Sequence, residues 1–149
     1  MPIKELHSEI EIVASAQRVW DILTDFSSYP QWNPFIRWIS GEAKTGERLE
    51  VRLEPPESRG VTLKPKVLNI EPNRELRWLG HLLVPGLFDG EHTLALEPLE
   101  ENRVRFVQRE AFKGLLVRLL ARSLDNNTRR GFEEMNRALK ERAEAPLGS

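Results

Sequence analysis

The sequence has no cysteine, which excludes disulfides and thiolate-held metals. It also lacks an excess of either charge, since 22 basic and 23 acidic side chains leave a formal net charge of -1. A nucleic-acid partner calls for a basic surplus gathered on one face, so none is expected. No uncharged apolar run approaches the ~20 residues needed to cross a bilayer, and stable membrane insertion is not expected. The opening Met1-Pro2-Ile3-Lys4-Glu5 has no apolar core of the kind a secretory signal carries, so a cytoplasmic location is the expectation. The three histidines, His7, His81 and His92, fit neither His-x-His nor His-Glu-x-x-His spacing, and no metal site is expected. A phosphate loop, a Gly-x-Gly-x-x-Gly fingerprint and a Gly-x-Ser-x-Gly elbow are missing too. Nucleotide and familiar hydrolase chemistry therefore drop out, no cofactor is expected, and no residue can be assigned as catalytic.

What is present is regular patterning over a length that suits one domain, 149 residues. Leu6 to Val13 alternates apolar Leu6, Ile10 and Ile12 with Glu9 and Glu11, the period of a strand with one buried face. Ser15 stands where an N-cap would, ahead of Val19, Trp20, Leu23 and Phe26 at helical spacing. Arg18 at the third helical position leaves the capping box incomplete. Ser27 suits the cap of a second short helix through Trp32, with Pro30 in its first turn, and Asn33-Pro34 closes it.

From Phe35 to Phe112 the chain reads as an antiparallel meander. The strands are Phe35–Ser40, Arg48–Glu54, Val61–Ile70, Glu75–Leu83, Leu87–Pro98 and Arg103–Phe112. Pro65 marks an edge or a bulge within the third of these. Gly114 to about Ala143 has no proline, and Leu116, Leu120, Leu124, Phe132, Met135 and Leu139 fall on one stripe. That predicts one long amphipathic helix of about 45 Å. Residues 146–149 are expected to be a flexible tail after a single domain over 1–145. Seven strands need one face covered, and the terminal helix is the element large enough to cover it. The predicted class is α+β: a curved seven-stranded antiparallel sheet wrapped around a long C-terminal helix, with two short helices after the first strand.

Two stretches carry a resemblance to a known family. Glu11-Ile12-Val13-Ala14-Ser15-Ala16-Gln17-Arg18-Val19-Trp20-Asp21-Ile22-Leu23-Thr24-Asp25, followed by Tyr29-Pro30-Gln31-Trp32-Asn33-Pro34, is similar to the entry of START-like (helix-grip) proteins. Leu87 to His92 and Gln108 to Leu116 resemble a bacterial subgroup of the polyketide cyclase/dehydrase-type (SRPBCC) branch. The resemblance spans nearly the whole chain and implies a helix-grip fold. It says little of activity, because the superfamily includes lipid carriers, hormone receptors, cyclases, ring-oxygenase subunits and co-chaperones.

Within that architecture, Trp32, Trp38, Trp78, Phe88 and Phe106 are candidates to line a cavity or, equally in kind, to fill an ordinary core. Strand parity places His92 with Phe88 and Leu94, and Gln108 and Glu110 with Val104 and Phe106. Polar groups at inward positions are costly unless partnered. If the two strands are hairpin partners, His92 and Glu110 face the same space. They would then form a structural bond, orient a ligand's polar head, or act as an acid–base pair. Leu116 and Leu120 on the helix stripe are further candidates for the ligand site. Asn127, Thr128 and Gly131 interrupt that stripe, and Gly131 either leaves room for a ligand or lets a bulky Trp approach. The mixed charges of the helix suit a solvated face, with membrane docking as the alternative.

The sequence thus predicts a monomer or homodimer that binds a small hydrophobic ligand (lipid, polyketide-like or isoprenoid) between sheet and helix, as carrier or sensor. A cyclase/dehydrase-type enzyme and a protein-interaction domain of co-chaperone type are the alternatives.

Overall fold

The alternating N-terminal segment forms strand β1 (Lys4–Ile12), whose buried residues include Leu6 and Ile12. The structure, a computed structural model, describes residues 4–82 and 84–146. The predicted strand end at Leu83 and most of the predicted tail lie outside the described residues.

Helix α1 (Ala16–Thr24) follows, with Ser15 as its N-cap. The Ser15 hydroxyl oxygen accepts from the Arg18 amide at 3.1 Å, a contact worth about 1 kcal/mol. Arg18 takes no part in a capping box. Its guanidinium instead donates to the carbonyls of Ala143 at 2.6 Å, Ala145 at 3.2 Å and Arg142 at 3.3 Å. Those carbonyls end the terminal helix and have no partner within it. A 3-10 turn (Phe26–Ser28) and α2 (Tyr29–Trp32) come next. Ser27 does not cap α2, because its hydroxyl and that of Ser28 donate to Asp25 at 3.0 and 2.6 Å. These bonds, Ser28's foremost, hold the Asp25 carboxyl below its usual range.

The strands are β2 (Ile36–Ser40), β3 (Glu50–Leu53), β4 (Val61–Leu63), β5 (Lys66–Glu71), β6 (Glu75–His81), β7 (Asp89–Glu100) and β8 (Arg103–Lys113). Among the described residues there are thus eight strands where seven are expected. The run Val61–Ile70 breaks at Pro65, which has no N–H to give to a ladder. Five strands pair antiparallel in the order β1-β8-β7-β6-β5, and three in the order β2-β3-β4. The two sheets are stitched together where the Gly46 amide donates to the Val67 carbonyl, Val67 to Glu47, and Leu49 to Pro65, all within 2.9 Å. The result is one curled surface.

The terminal helix begins later than its sequence pattern predicts. Gly114 leaves β8 at φ +125°, where a Cβ would collide with the Leu87 carbonyl. The Leu115 and Leu116 amides then donate to Gly86 and Leu87 in the β6–β7 turn. Leu115 and Leu116 are thus held to that turn and residues 117–120 close on their own segment, so the helix proper runs as α3 (Ala121–Ser123), a π turn (Leu124–Thr128) and α4 (Arg129–Glu144) without a break in right-handed backbone. Phe132, Met135 and Leu139 of α4 are fully buried against the sheet, each contributing about 1.5–3 kcal/mol. The architecture is α+β with a helix lying in the hollow of a curved antiparallel sheet.

Candidate functional site

Register places five inward positions in one row across the large sheet: Val67 opposite Trp78, Trp78 opposite His92, His92 opposite Glu110, and Glu110 opposite Leu6. The next row toward the β6–β7 turn sets Gly80 opposite Gly90, and Gly90 opposite Phe112. Two facing glycines leave the sheet floor without side chains at that point. A strand glycine of this kind permits close approach of other groups.

His92 is 1% exposed and makes two hydrogen bonds. Nδ1 lies 2.8 Å from Glu110 Oε1, and Nε2 lies 2.9 Å from Gln108 Oε1. Gln108 has its amide nitrogen committed elsewhere, donating to Asn136 Oδ1 at 2.9 Å and to the Phe132 carbonyl at 3.4 Å. Asn136 in turn donates to Ser8 Oγ at 2.9 Å, and Ser8 donates to the Gln108 carbonyl at 3.3 Å. Both ring nitrogens of His92 therefore face oxygen acceptors. The ring is stacked on Trp78 at 5.3 Å and 19°, and meets the edge of Phe132 at 5.2 Å.

Glu110 Oε1 is held by His92. Oε2 sits against Gly90, where any Cβ would collide with it. No hydrogen bond to Oε2 occurs among the described residues, and Glu110 lines a cavity of about 230 Å³. The apolar walls are Phe35, Leu53, Leu63, Trp78, Phe88 and Phe112, and the floor holds Gly80 and Gly90. Half-buried Leu82 and Thr128 and exposed Ser123 also line it, Ser123 reaching solvent. Just outside, Asp89 accepts from His81 at 2.7 Å and from the Gly86 amide at 3.1 Å. Burial raises the Asp89 carboxyl, but the His81 and Gly86 bonds and the charges of His81 and Lys113 outweigh it and hold the group below its usual range.

A larger surface hollow of about 510 Å³ lies between α1 and the end of α4, bounded by Arg18, Asp21, Asp25 and Arg142. It is open, and its charged groups already serve as caps and turn bonds, so the smaller apolar cavity is the better candidate.

Of the residues the sequence singled out, Trp78, Phe88, His92 and Glu110 line this cavity. Gln108 is buried behind it, holding His92. The other seven lie away from it. Trp38 is 37% exposed, because a register shift between Ile36 and Trp38 turns it outward. Trp32 packs edge-on against Tyr29 at 5.2 Å. Phe106 is buried opposite Leu96 in solid core. Leu116, whose amide bonds the β6–β7 turn, is half-buried, and Leu120 is 38% exposed. Asn127 is half-buried in the π turn, where the extra residue puts Thr128 on the cavity instead. Gly131 admits an aromatic ring, but that ring is Phe35, whose Cδ1 would lie 2.5 Å from a Cβ.

Ser8 and Asn136 complete the polar network and were not singled out. Both carried a signal: Ser8 has the inward parity of Leu6 and Ile10, and Asn136 interrupts the face of Phe132 and Leu139. Gly80 and Gly90 carried none until their strands were aligned.

A family model described as polyketide cyclase / dehydrase and lipid transport matches residues 4–144. No curated protein sequence matches the chain. The structure is similar to the Zhui aromatase/cyclase from Streptomyces sp. R1128, with 15% identity, a TM-score of 0.77, and coverage of 95% of this chain and 93% of that one. It is similar to a START superfamily protein from Mycobacterium smegmatis, with 21% identity, a TM-score of 0.69, and coverage of 94% and 97%. A norcoclaurine synthase from Thalictrum flavum, in complex with dopamine and hydroxybenzaldehyde, is 16% identical with a TM-score of 0.69 over 93% of this chain and 84% of that one.

Proposed function

The chain belongs to the polyketide cyclase / dehydrase and lipid transport family, and from that membership we propose that it encloses a compact apolar molecule bearing a hydrogen-bond donor, as a carrier or sensor. The observation that carries this reading is Glu110 Oε2, an unpartnered carboxylate oxygen facing an otherwise mostly apolar cavity of about 230 Å³. Ligand sites commonly take this form, a concave apolar space with few placed polar groups. A dry cavity of about 150 Å³ already admits benzene, so this one suits a molecule of one or two rings or a short isoprenoid better than a two-chain lipid. Oε2 is an acceptor, so a ligand hydroxyl or phenol is the complementary group.

A cyclase/dehydrase-type enzyme is the second reading, favoured by the 2.8 Å contact between His92 and Glu110 beside the cavity. There, Oε2 would accept a proton from the ligand while His92 fixes the carboxylate. The open space counts against the third reading, a protein-interaction domain with a filled core.

The test is titration of the purified protein with a hydrophobic dye, displaced by a library of hydroxylated aromatics and isoprenoids, with native mass spectrometry for a co-purifying molecule. Saturable, displaceable binding is expected. Glu110→Gln should weaken the hydroxylated ligand about 10- to 100-fold, the loss of a hydrogen bond to a charged group. Failure of the whole library to bind overturns the proposal. Conversion by the native protein that disappears in Glu110→Gln while binding persists decides for the enzyme; a ligand recovered unchanged decides for the carrier.

A further inference from the structure

Beyond the cavity itself, we propose that the surface around its mouth docks on an anionic phospholipid bilayer. Leu115 and Leu119 are 81% and 79% exposed, and Val84 is 56% exposed. Large apolar side chains this open, gathered at one place, mark an interaction surface. They are gathered by backbone bonds: the Leu115 amide donates to Gly86 at 3.2 Å, and the Leu87 amide closes the same turn on the Val84 carbonyl at 3.3 Å. The bond from the Leu120 amide to the Leu116 carbonyl makes a helix-like turn of this segment, setting Leu115 and Leu119 on one side.

Charge selects the occupant. From Lys113 to Leu124 the chain holds three cations, Lys113, Arg118 and Arg122, and no carboxylate. Arg118 and Arg122 are exposed and make no ion pair among the described residues. The nearest acids are engaged: Asp89 with His81 and Gly86, and Asp125 with Lys4 at 2.7 Å and Arg129. A second copy seated on this patch through a two-fold contact would bring the same three cations against it. An anionic headgroup layer is complementary instead, with leucines entering the acyl boundary and arginines held at the phosphates. The same surface adjoins the cavity, whose exposed lining residue Ser123 follows Arg122. A molecule dissolved in the bilayer would meet the opening directly.

The experiment is flotation of the full chain with phosphatidylcholine vesicles, with and without phosphatidylserine. Binding is expected to the anionic vesicles and to weaken as salt is added. Each of Arg118→Gln and Arg122→Gln should lower partitioning about five-fold. The double variant Leu115→Glu, Leu119→Glu should abolish flotation while keeping the wild-type melting temperature and dye titration. Because the dye reads the cavity and the vesicles read the surface, failure of either reading leaves the other visible. The proposal is overturned if the wild-type chain ignores anionic vesicles at low salt, or if the double variant floats as well as wild type. A dimer seen by light scattering that the double variant dissolves, with no vesicle binding, assigns the patch to a second copy and equally overturns it.

Discussion

The two ends of the helix–sheet interface are built from the same strands and the same helix, yet one is solid and the other hollow. At the solid end, Val19 and Leu23 of α1, Tyr29 of α2, and Leu139 and Ala143 of α4 are all buried. The Tyr29 hydroxyl donates to the Leu23 carbonyl at 2.6 Å, and burial pushes its ionisation far above the usual tyrosine range. Arg18 ties the last carbonyls of α4 to this end. At the hollow end, Gly80 and Gly90 supply no side chains, α3 begins only at Ala121, and Leu115 and Leu119 of the preceding segment turn outward. The difference teaches that stability and binding are separated along one helix. One end uses its apolar side chains to hold the fold, and the other leaves space and a free carboxylate oxygen.

Substitutions can break or sharpen this contrast. The largest effect is expected at the solid end: Leu23→Ala should cost about 2–5 kcal/mol, as for other buried leucines. Leu119→Ala, of the same chemistry but exposed, should stay within about 0.5 kcal/mol. Denaturant midpoints measure both, and equal losses would erase the distinction.

Next is Gly80→Leu. A Cβ there meets Pro65 and Leu63 at ordinary distances of 3.6 and 3.7 Å, so the side chain should enter the cavity without unfolding the sheet. Dye affinity is expected to fall about 100-fold, equivalent to roughly 2.7 kcal/mol, with little change in melting temperature. Undiminished dye affinity would show that the hollow is not the binding site.

The smallest effect is expected from acid. Asp89 has a folded-state pKa held below its unfolded value, so its contribution is present above about pH 3.9. It is lost as pH falls through the lower folded value. Asp89→Asn should therefore lower stability by under about 1 kcal/mol at neutral pH and flatten its decline on acidification below the unfolded value. An acid-unfolding curve identical to wild type would count against the bonded β6–β7 turn.

How much of this was legible depends on whether the information is local. Parity within β7 and β8, joined as a hairpin, was enough to put His92, Gln108 and Glu110 on the inner face. Trp38, a cavity candidate by residue type alone, is instead turned outward by one irregular step in β2, which reverses which way a side chain points. Leu116 and Leu120 do make one helix-like turn, the Leu120 amide donating to the Leu116 carbonyl, but the Leu115 and Leu116 amides are bonded to the β6–β7 turn, and neither leucine lines the cavity. Asn127 was misplaced because a π turn adds one residue to the helical period.

By itself the sequence determined the class of the fold, the order of its elements and the inward face of its longest strands. These follow from periodicity, which each segment carries within its own few residues. Tertiary structure alone decided that Gly80 faces Gly90, that Glu110 keeps one oxygen free, and that the helix covers one end of the sheet more fully than the other. Each depends on register and closure between segments far apart in the chain. No single segment encodes the partner opposite it, so a cavity becomes visible only when the strands are aligned.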